Sequence, residues 1–204
     1  MSTKLSKLFI TGFDTNTQWQ YQWFKEQFHA KVPGAKLKAY NFDWFDAPIS
    51  GVKNWFKKPF AMLDATTQAE EVCWIDTDCE IREDISDIFN YIVPNKLAMV
   101  EDVPWSMRRG EKWHNSGVVA FEGVPDILRM WCTAVQTAPI QGDQETLHLI
   151  LRQDLKRLIH ITDLPREYNT LRLDLTDGTA PPNIKVMHWT GPAGKKVIKE
   201  MINV

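Results

Sequence analysis

Short apolar runs that end in acidic or amide residues alternate along this chain with stretches in which apolar side chains recur every third or fourth position. The first kind reads as buried strand and the second as amphipathic helix. Residues 7–11 form the first run and stop at Gly12. Residues 17–30 follow as a helix, with Trp19, Trp23, Phe24 and Phe28 as its apolar stripe. A strand over 37–45 leads through a loop with Pro48 and Gly51 to a helix over 58–69, where Pro59 suits the first turn. Strands at 71–75, 97–100, 117–121 and 184–187, helices at 125–138 and 144–153, and a polar loop over 104–114 complete the pattern. No repeat, low-complexity run or linker interrupts it. The expectation is one α/β domain over residues 1–204, with a mostly parallel sheet covered on both faces.

The residues that end these runs carry the candidate chemistry. Asp14, Asp76, Asp78, Glu101, Asp102, Asn115 and His188 all follow apolar segments, so strands lying side by side would bring them to one edge of the sheet, the edge where open α/β sheets bind ligands. Asp76-Thr77-Asp78 places two carboxylates at i and i+2, which point the same way on an extended segment and suit one Mg²⁺ or Mn²⁺. The same pattern also occurs in solvated turns and at helix N-caps. His188 would add an imidazole, a better ligand for Mn²⁺ than for Mg²⁺. Beyond it, Gly191-Pro192-Ala193-Gly194-Lys195-Lys196 reads as a loop in which glycine admits close backbone approach and Lys195 offers a point charge to a diphosphate. A solvated lysine pair on a terminal helix is the alternative.

Composition narrows the class. The formal charge of −2 over 204 residues argues against a strong nonspecific grip on nucleic acid or an anionic membrane. Cys73, Cys79 and Cys132 have no metal-ligand spacing and leave one thiol unpaired, which fits a reduced cytoplasmic setting with no disulfide. The N-terminus is too short in apolar residues for a signal peptide or membrane span, so no membrane partner is expected. Of nine tryptophans, Trp105, Trp113 and Trp189 lie in polar stretches beside the candidate chemistry, where they would stack on a sugar or base or wall a pocket.

The ordered set Trp74-Ile75-Asp76-Thr77-Asp78, Asn115-Ser116-Gly117, Gly142-Asp143-Gln144, Leu164-Pro165-Arg166-Glu167-Tyr168-Asn169 and His188-Trp189-Thr190-Gly191 resembles the retaining GT-A glycosyltransferases of the glycogenin and bacterial galactosyltransferase type, across about residues 6–196. The resemblance implies a single Rossmann-like GT-A domain, Mn²⁺ (or Mg²⁺) held by Asp76, Asp78 and His188, and a nucleotide-sugar donor, UDP-linked. It implies donor binding by Thr11, Asp14, Lys58, Thr77, Asn115, Gly191 and Lys195, and a catalytic group of Asp102, Asp143 and Gln144, with Asp143 and Gln144 beside the anomeric carbon. His114 and His148 are read as core or surface residues.

The chain departs from the pattern where His-x-x-Gly-x-x-Lys is usual: Gly194 holds the last position and Lys195 follows. The acceptor hydroxyl is left open among a glycan, a protein and a hydroxymethylated DNA base. A small chain without an anchor is similar to transferases that bacteriophages encode, and the polar loop with Trp105, Arg108, Arg109, Lys112 and Trp113 suits nucleic acid or a sugar equally. Two rivals stand. A haloacid-dehalogenase-like phosphatase also uses Asp-x-Asp after a buried strand, but Leu147 occupies the place of a needed acidic residue. A non-catalytic nucleotide-sugar binder would lack groups near the anomeric carbon.

Overall fold

The computed structural model describes residues 4–152 and 154–203. Residues 1–3 of the expected leaderless N-terminus, and the helix end expected at Gln153, lie outside them. The strands are β1 (Leu5–Phe13), β2 (Leu37–Asn41), β3 (Ala69–Ile75), β4 (Cys79–Ile81), β5 (Leu97–Glu101), β6 (His114–Glu122), β7 (Ile161–Asp163), β8 (Thr170–Leu171) and β9 (Val186–His188). The helices are α1 (Gln18–Lys31), α2 (Lys58–Ala65), α3 (Val103–Arg109), α4 (Asp126–Thr137), α5 (Asp143–Leu151), α6 (Asp154–His160), α7 (Arg172–Asp177) and α8 (Gly191–Met201).

Six strands form a sheet in the order β2-β1-β3-β6-β5-β7. β1 is parallel to β2 and β3, and β5 is parallel to β7. β6 runs antiparallel to both β3 and β5. The sheet is therefore mostly parallel with β6 reversed, and β6 begins at the edge where its neighbours end. Alternation along the strands splits the core between two faces. Leu8, Ile10, Val72, Trp74, Met99, Val119 and Phe121 pack with α2, α4 and α5. Phe9, Cys73, Ile75, Val100, Val118 and Ala120 pack with Phe24 and Phe28 of α1 and with Val186. A second sheet, β4-β9-β8, lies on this α1 side. Phe24 and Phe28 are fully buried, and phenylalanines in such positions are each worth about 3–5 kcal/mol against alanine.

Several boundaries differ from the sequence reading for local reasons. The strand expected over 37–45 stops at Asn41, because Asn41 Oδ1 accepts the Asp43 N–H and Asn41 O accepts from Phe45. The helix over 58–69 stops at Ala65, where the hydroxyls of Thr66 and Thr67 bond back to the carbonyls of Leu63 and Asp64. The polar loop over 104–114 contains α3. Asp102 caps it by accepting from Trp105 N, Pro104 occupies its first turn, and Gly110 ends it in the left-handed region at φ 67°. The glycine-lysine segment after Thr190 is the start of α8 rather than a loop.

Candidate active site

Asp76-Thr77-Asp78 is a turn. Asp76 N–H donates to Gly117 O, and Cys79 N–H closes back on Asp76 O. The two carboxylates therefore do not lie side by side on an extended strand, as the spacing suggested. Asp76 stays on the Trp74 side, where its Oδ1 accepts from Trp74 Nε1 at 2.7 Å and pairs with Lys58 Nζ at 3.0 Å. Lys58, 5% exposed, also reaches Asp143 Oδ2 at 3.1 Å and Ser116 Oγ at 3.2 Å. Burial works against the charge of Lys58, but Asp143 and Asp76 more than offset it and hold the ammonium above the usual lysine value. Asp78 has a different nearest partner, with Oδ1 3.1 Å from His188 Nε2; Asp76 Oδ2 is 3.9 Å from the same nitrogen. Burial raises the Asp76 carboxyl. At Asp78 burial is outweighed by His188 and then Lys195, and its carboxyl is lowered. His188 is correspondingly raised, since Asp78 and Asp76 overcome its burial.

A chain of amides orients His188. Gly117 N–H, a donor that cannot be reversed, gives to Asn115 Oδ1 at 2.8 Å. Asn169 Nδ2 must then be the donor to that same oxygen, also at 2.8 Å, which turns Asn169 Oδ1 toward His188 Nδ1 at 3.0 Å. His188 Nδ1 therefore carries a proton, and Nε2 is the nitrogen that faces the two carboxylates. A second partner orienting the far nitrogen is the usual arrangement behind a metal-ligating imidazole. Asp102 sits behind the chain, its carboxylate taking a hydrogen bond from the Asn115 side chain and one from Trp105 N. Burial raises its carboxyl.

β6 delivers residues to both sides of this arrangement because its register breaks. Ala98 and Met99 pair with Ala120 and Val119, but Val100 and Glu101 pair with Asn115 and His114, a jump of three residues. An odd shift reverses which face each side chain meets. Asn115 thus joins Val100 on the α1 side and reaches Asn169, while Ser116 turns toward Lys58, Asp143 and Gln144. Gly117 sits at the reversal, and a Cβ there would collide with the His188 ring.

Some of these groups border one cavity. Asp14, Lys58, Asp76, Thr77, Asp78, Asp143 and Lys195 line it, together with the aromatic rings of Phe13, Phe42, Trp55 and Trp74. Asp14 also bonds Thr17 at the start of α1 and accepts from Asn54 Nδ2 at 3.2 Å. Gly194, where the lysine of the usual pattern would fall, packs on the backbone of Trp189 so closely that a Cβ would collide with the Trp189 carbonyl; Lys195 faces the cavity instead. Thr11, Asp102, Asn115, Gln144, His188 and Gly191 do not line the cavity. Gln144 Oε1 is committed to Ser116 N–H at 3.0 Å, and Gly191 starts α8 at φ 73°. Glu101 does not converge with the others; it lies 3.7 Å from Lys112, whose Nζ is 2.8 Å from Asp163. Of the residues not foreseen, Asn54 and Trp55 come from a short 3-10 turn that no periodicity marks. Cys79 joins Asp78 and His188 in a group of close potential ligand atoms. Burial pushes the Cys79 thiol well up, so it keeps its proton.

Of the three tryptophans expected to stack on a ligand or wall a pocket, none lines this cavity, and Trp113 lines a separate one. Trp113 stacks on His148 at 3.4 Å, Trp105 meets Trp113 edge-on, and Trp189 Nε1 donates to Glu80 Oε2. Beneath Trp113, Arg157 donates to Nδ1 of both His114 and His148 at 2.9 and 3.0 Å. Their Nε2 atoms face Asp163 Oδ1 at 2.7 Å and Glu111 Oε1 at 3.3 Å. Because a guanidinium only donates, both imidazoles are held neutral. Burial first, then Arg157 among the nearby charges, lowers both. Groups lowered in this way contribute stability above the unfolded value near 6.5 that is lost as pH falls through their native values. The raised His188 acts in the opposite sense. The readout is therefore a difference: the Tm loss between pH 7 and 5 is expected to be smaller in a His114→Gln, His148→Gln protein, whose amides reproduce the neutral donor-acceptor pattern. Equal slopes in the two proteins would count against the neutral pair.

Among solved structures, the chain is similar to a glycosyltransferase involved in the glycosylation of the major capsid of PBCV-1, with a TM-score of 0.69 at 14% identity over 98% of this chain and 100% of that one. It is similar to the galactosyltransferase LgtC in complex with donor and acceptor sugar analogs, with a TM-score of 0.61 at 13% identity over 91% of this chain and 88% of that one. The glycosyltransferase GlyE of Streptococcus pneumoniae TIGR4 gives 0.65 at 16% identity over 93% of this chain and 55% of that one. No protein-family model and no curated protein sequence matches the chain. At these identities the likeness shows the fold, which is that of the GT-A glycosyltransferases. No helix among the described residues is long and apolar enough to cross a membrane.

Proposed function

We propose that this chain is a metal-dependent glycosyltransferase that moves a sugar from a nucleotide-diphosphate donor, UDP-linked, to an acceptor hydroxyl with retention of configuration. The observation that carries the reading is the cavity itself, where Asp76, Asp78, Asp143, Lys58 and Lys195 meet beside exposed aromatic surface in a GT-A fold. Carboxylates of Asp76 and Asp78 with an imidazole nitrogen from His188 form a donor set suited to Mn²⁺. Bound there, the cation supplies positive charge against the departing diphosphate.

The chain's own groups do the rest. Lys195, on the first turns of α8, extends positive charge into the cavity where the diphosphate leaves, and the N-terminus of α8 favours the same anion. Lys58 pairs with Asp76 and Asp143 and holds both side chains in place. Asp143 then faces the positive charge that forms at the anomeric carbon. In a retaining reaction the departing phosphate takes the acceptor's proton, and no side chain of the lining needs to act as the base. A phosphatase would need Asp76 as attacking nucleophile, and its carboxylate is already engaged by Trp74 and Lys58.

The test is a thermal-shift screen of nucleotide sugars with and without Mn²⁺, followed by product analysis. A metal-dependent rise with slow release of free sugar supports transfer; release of phosphate supports the phosphatase. Proton NMR of the product from an α-linked donor then reads the stereochemistry, and a β-linked product rules out retention. Within this reading, Lys195→Ala is expected to lower turnover about 10²- to 10³-fold, as does loss of one transition-state donor. Lys196, 80% exposed beside Glu200, should matter little, and the reverse ranking would show that the wrong lysine has been chosen.

A further inference from the structure

Gln20 is 1% exposed, and its Nε2 is a buried donor without a hydrogen-bond partner among the described residues. It shares the buried face of α1 with Phe24 and Phe28, at four-residue spacing. An apolar side chain would fill that place with no donor to satisfy. A buried amide left unpaired is a cost in the ligand-free protein and calls for an explanation. The explanation is beside it: Gln20 lines the cavity together with Gly12, Phe13, Asp14 and Trp55. Trp55 is 41% exposed and offers a flat apolar face. The Asn54–Asp14 hydrogen bond ties its segment to the turn that opens α1. A nucleobase needs this combination of a planar apolar surface and a polar contact at the ring edge.

We propose that Gln20 reads the nucleobase of the donor, its Nε2 donating to a ring carbonyl of the base. The proposal rests on the nucleotide-sugar reading of the cavity. Uracil, cytosine and guanine present such a carbonyl, and adenine does not. The site therefore favours UDP over ADP, and the preference resides in one side chain of α1 rather than in the metal or phosphate contacts.

Calorimetry with UDP, ADP and pyrophosphate, each with Mn²⁺, tests it in the full chain and in Gln20→Leu. The expected result is about a tenfold loss of UDP affinity in the variant, the size of one hydrogen bond, with pyrophosphate affinity unchanged. The ligand-free Tm should be equal or higher, because an unpaired donor leaves an apolar stripe; a residue with a structural role would lower it. ADP should bind the native protein about tenfold more weakly than UDP, and that gap should close in the variant. If Gln20→Leu does not fold, Gln20→Glu keeps the shape while replacing the donor with an acceptor, and should lose at least as much UDP affinity. Equal UDP affinity in native and variant protein overturns the role of Gln20 and leaves the nucleotide site standing. A native protein that binds pyrophosphate with Mn²⁺ but no nucleotide more tightly, or binds none of the three, overturns the nucleotide-sugar reading and this proposal with it.

Discussion

Asp78→Ala is expected to abolish Mn²⁺-dependent nucleotide binding and to cut turnover at least about 10³-fold, the scale of losing several kcal/mol of metal-derived stabilisation, while the chain stays folded. Asp78 is the carboxylate to choose because its side chain answers to His188 rather than to Lys58. Its removal takes a ligand from the proposed cation without stranding the buried ammonium. Calorimetry of UDP with Mn²⁺ and far-UV circular dichroism together check this. A variant with native fold and native donor affinity would remove Asp78 from the metal site.

Lys58→Met should have the larger effect on the fold. Asp76 and Asp143 both pair with the buried ammonium, at 3.0 and 3.1 Å, so the substitution leaves two carboxylates in a poorly solvated place without their counter-ion. Breaking a buried ion pair from one side costs about 3–5 kcal/mol. Denaturant unfolding should show that loss as a lower midpoint at unchanged slope. Added Mn²⁺ should recover part of it, since the proposed cation brings positive charge to Asp76. A variant as stable as the native protein would mean that Lys58 is not the counter-ion of this cluster.

Much of this was visible in the chain. The apolar runs are strands, and they end where Asp14, Asp76 and Asp78 enter the cavity lining. What periodicity missed has physical causes. β4 and β8 have three and two residues, too few to show alternation, so of the second sheet only β9, expected over 184–187 and found at Val186–His188, left a mark. Alternation also misleads on β6: counted back from Phe121 and Val119 it puts Asn115 against α2 and α4, whereas the three-residue jump opposite Met99 and Val100 sends it to Asn169. On α1 the large rings of Trp19 and Trp23 suggest the sheet-facing stripe; Trp19 packs toward Met187, Trp189 and Ile198, Trp23 touches both that cluster and the α1-side core, and the fully inward line is Gln20, Phe24 and Phe28. The motif spacing put Asp76 and Asp78 on one extended segment; the turn that separates their partners depends on backbone bonds to Gly117 and within the turn itself, which no local pattern reveals.

The amide relay from Gly117 to His188 has a bearing on how this chain can vary. Its direction is set by a main-chain proton, which side-chain replacement leaves in place unless proline is introduced, so residue 115 must offer an oxygen that accepts from both Gly117 N–H and Asn169 Nδ2, and residue 169 must offer a donor on one side and an acceptor on the other. Asparagine meets that demand at 169, whereas aspartate, which when ionised only accepts, interrupts it there; at 115 the amide nitrogen serves Asp102 instead. Positions 115, 169 and 188 thus form a single heritable unit although they are scattered over more than a third of the chain. A combinatorial library that varies them independently should yield active members chiefly where the donor-acceptor order survives, and a homologue that changes one of the three should be found to have changed its neighbour in the relay as well.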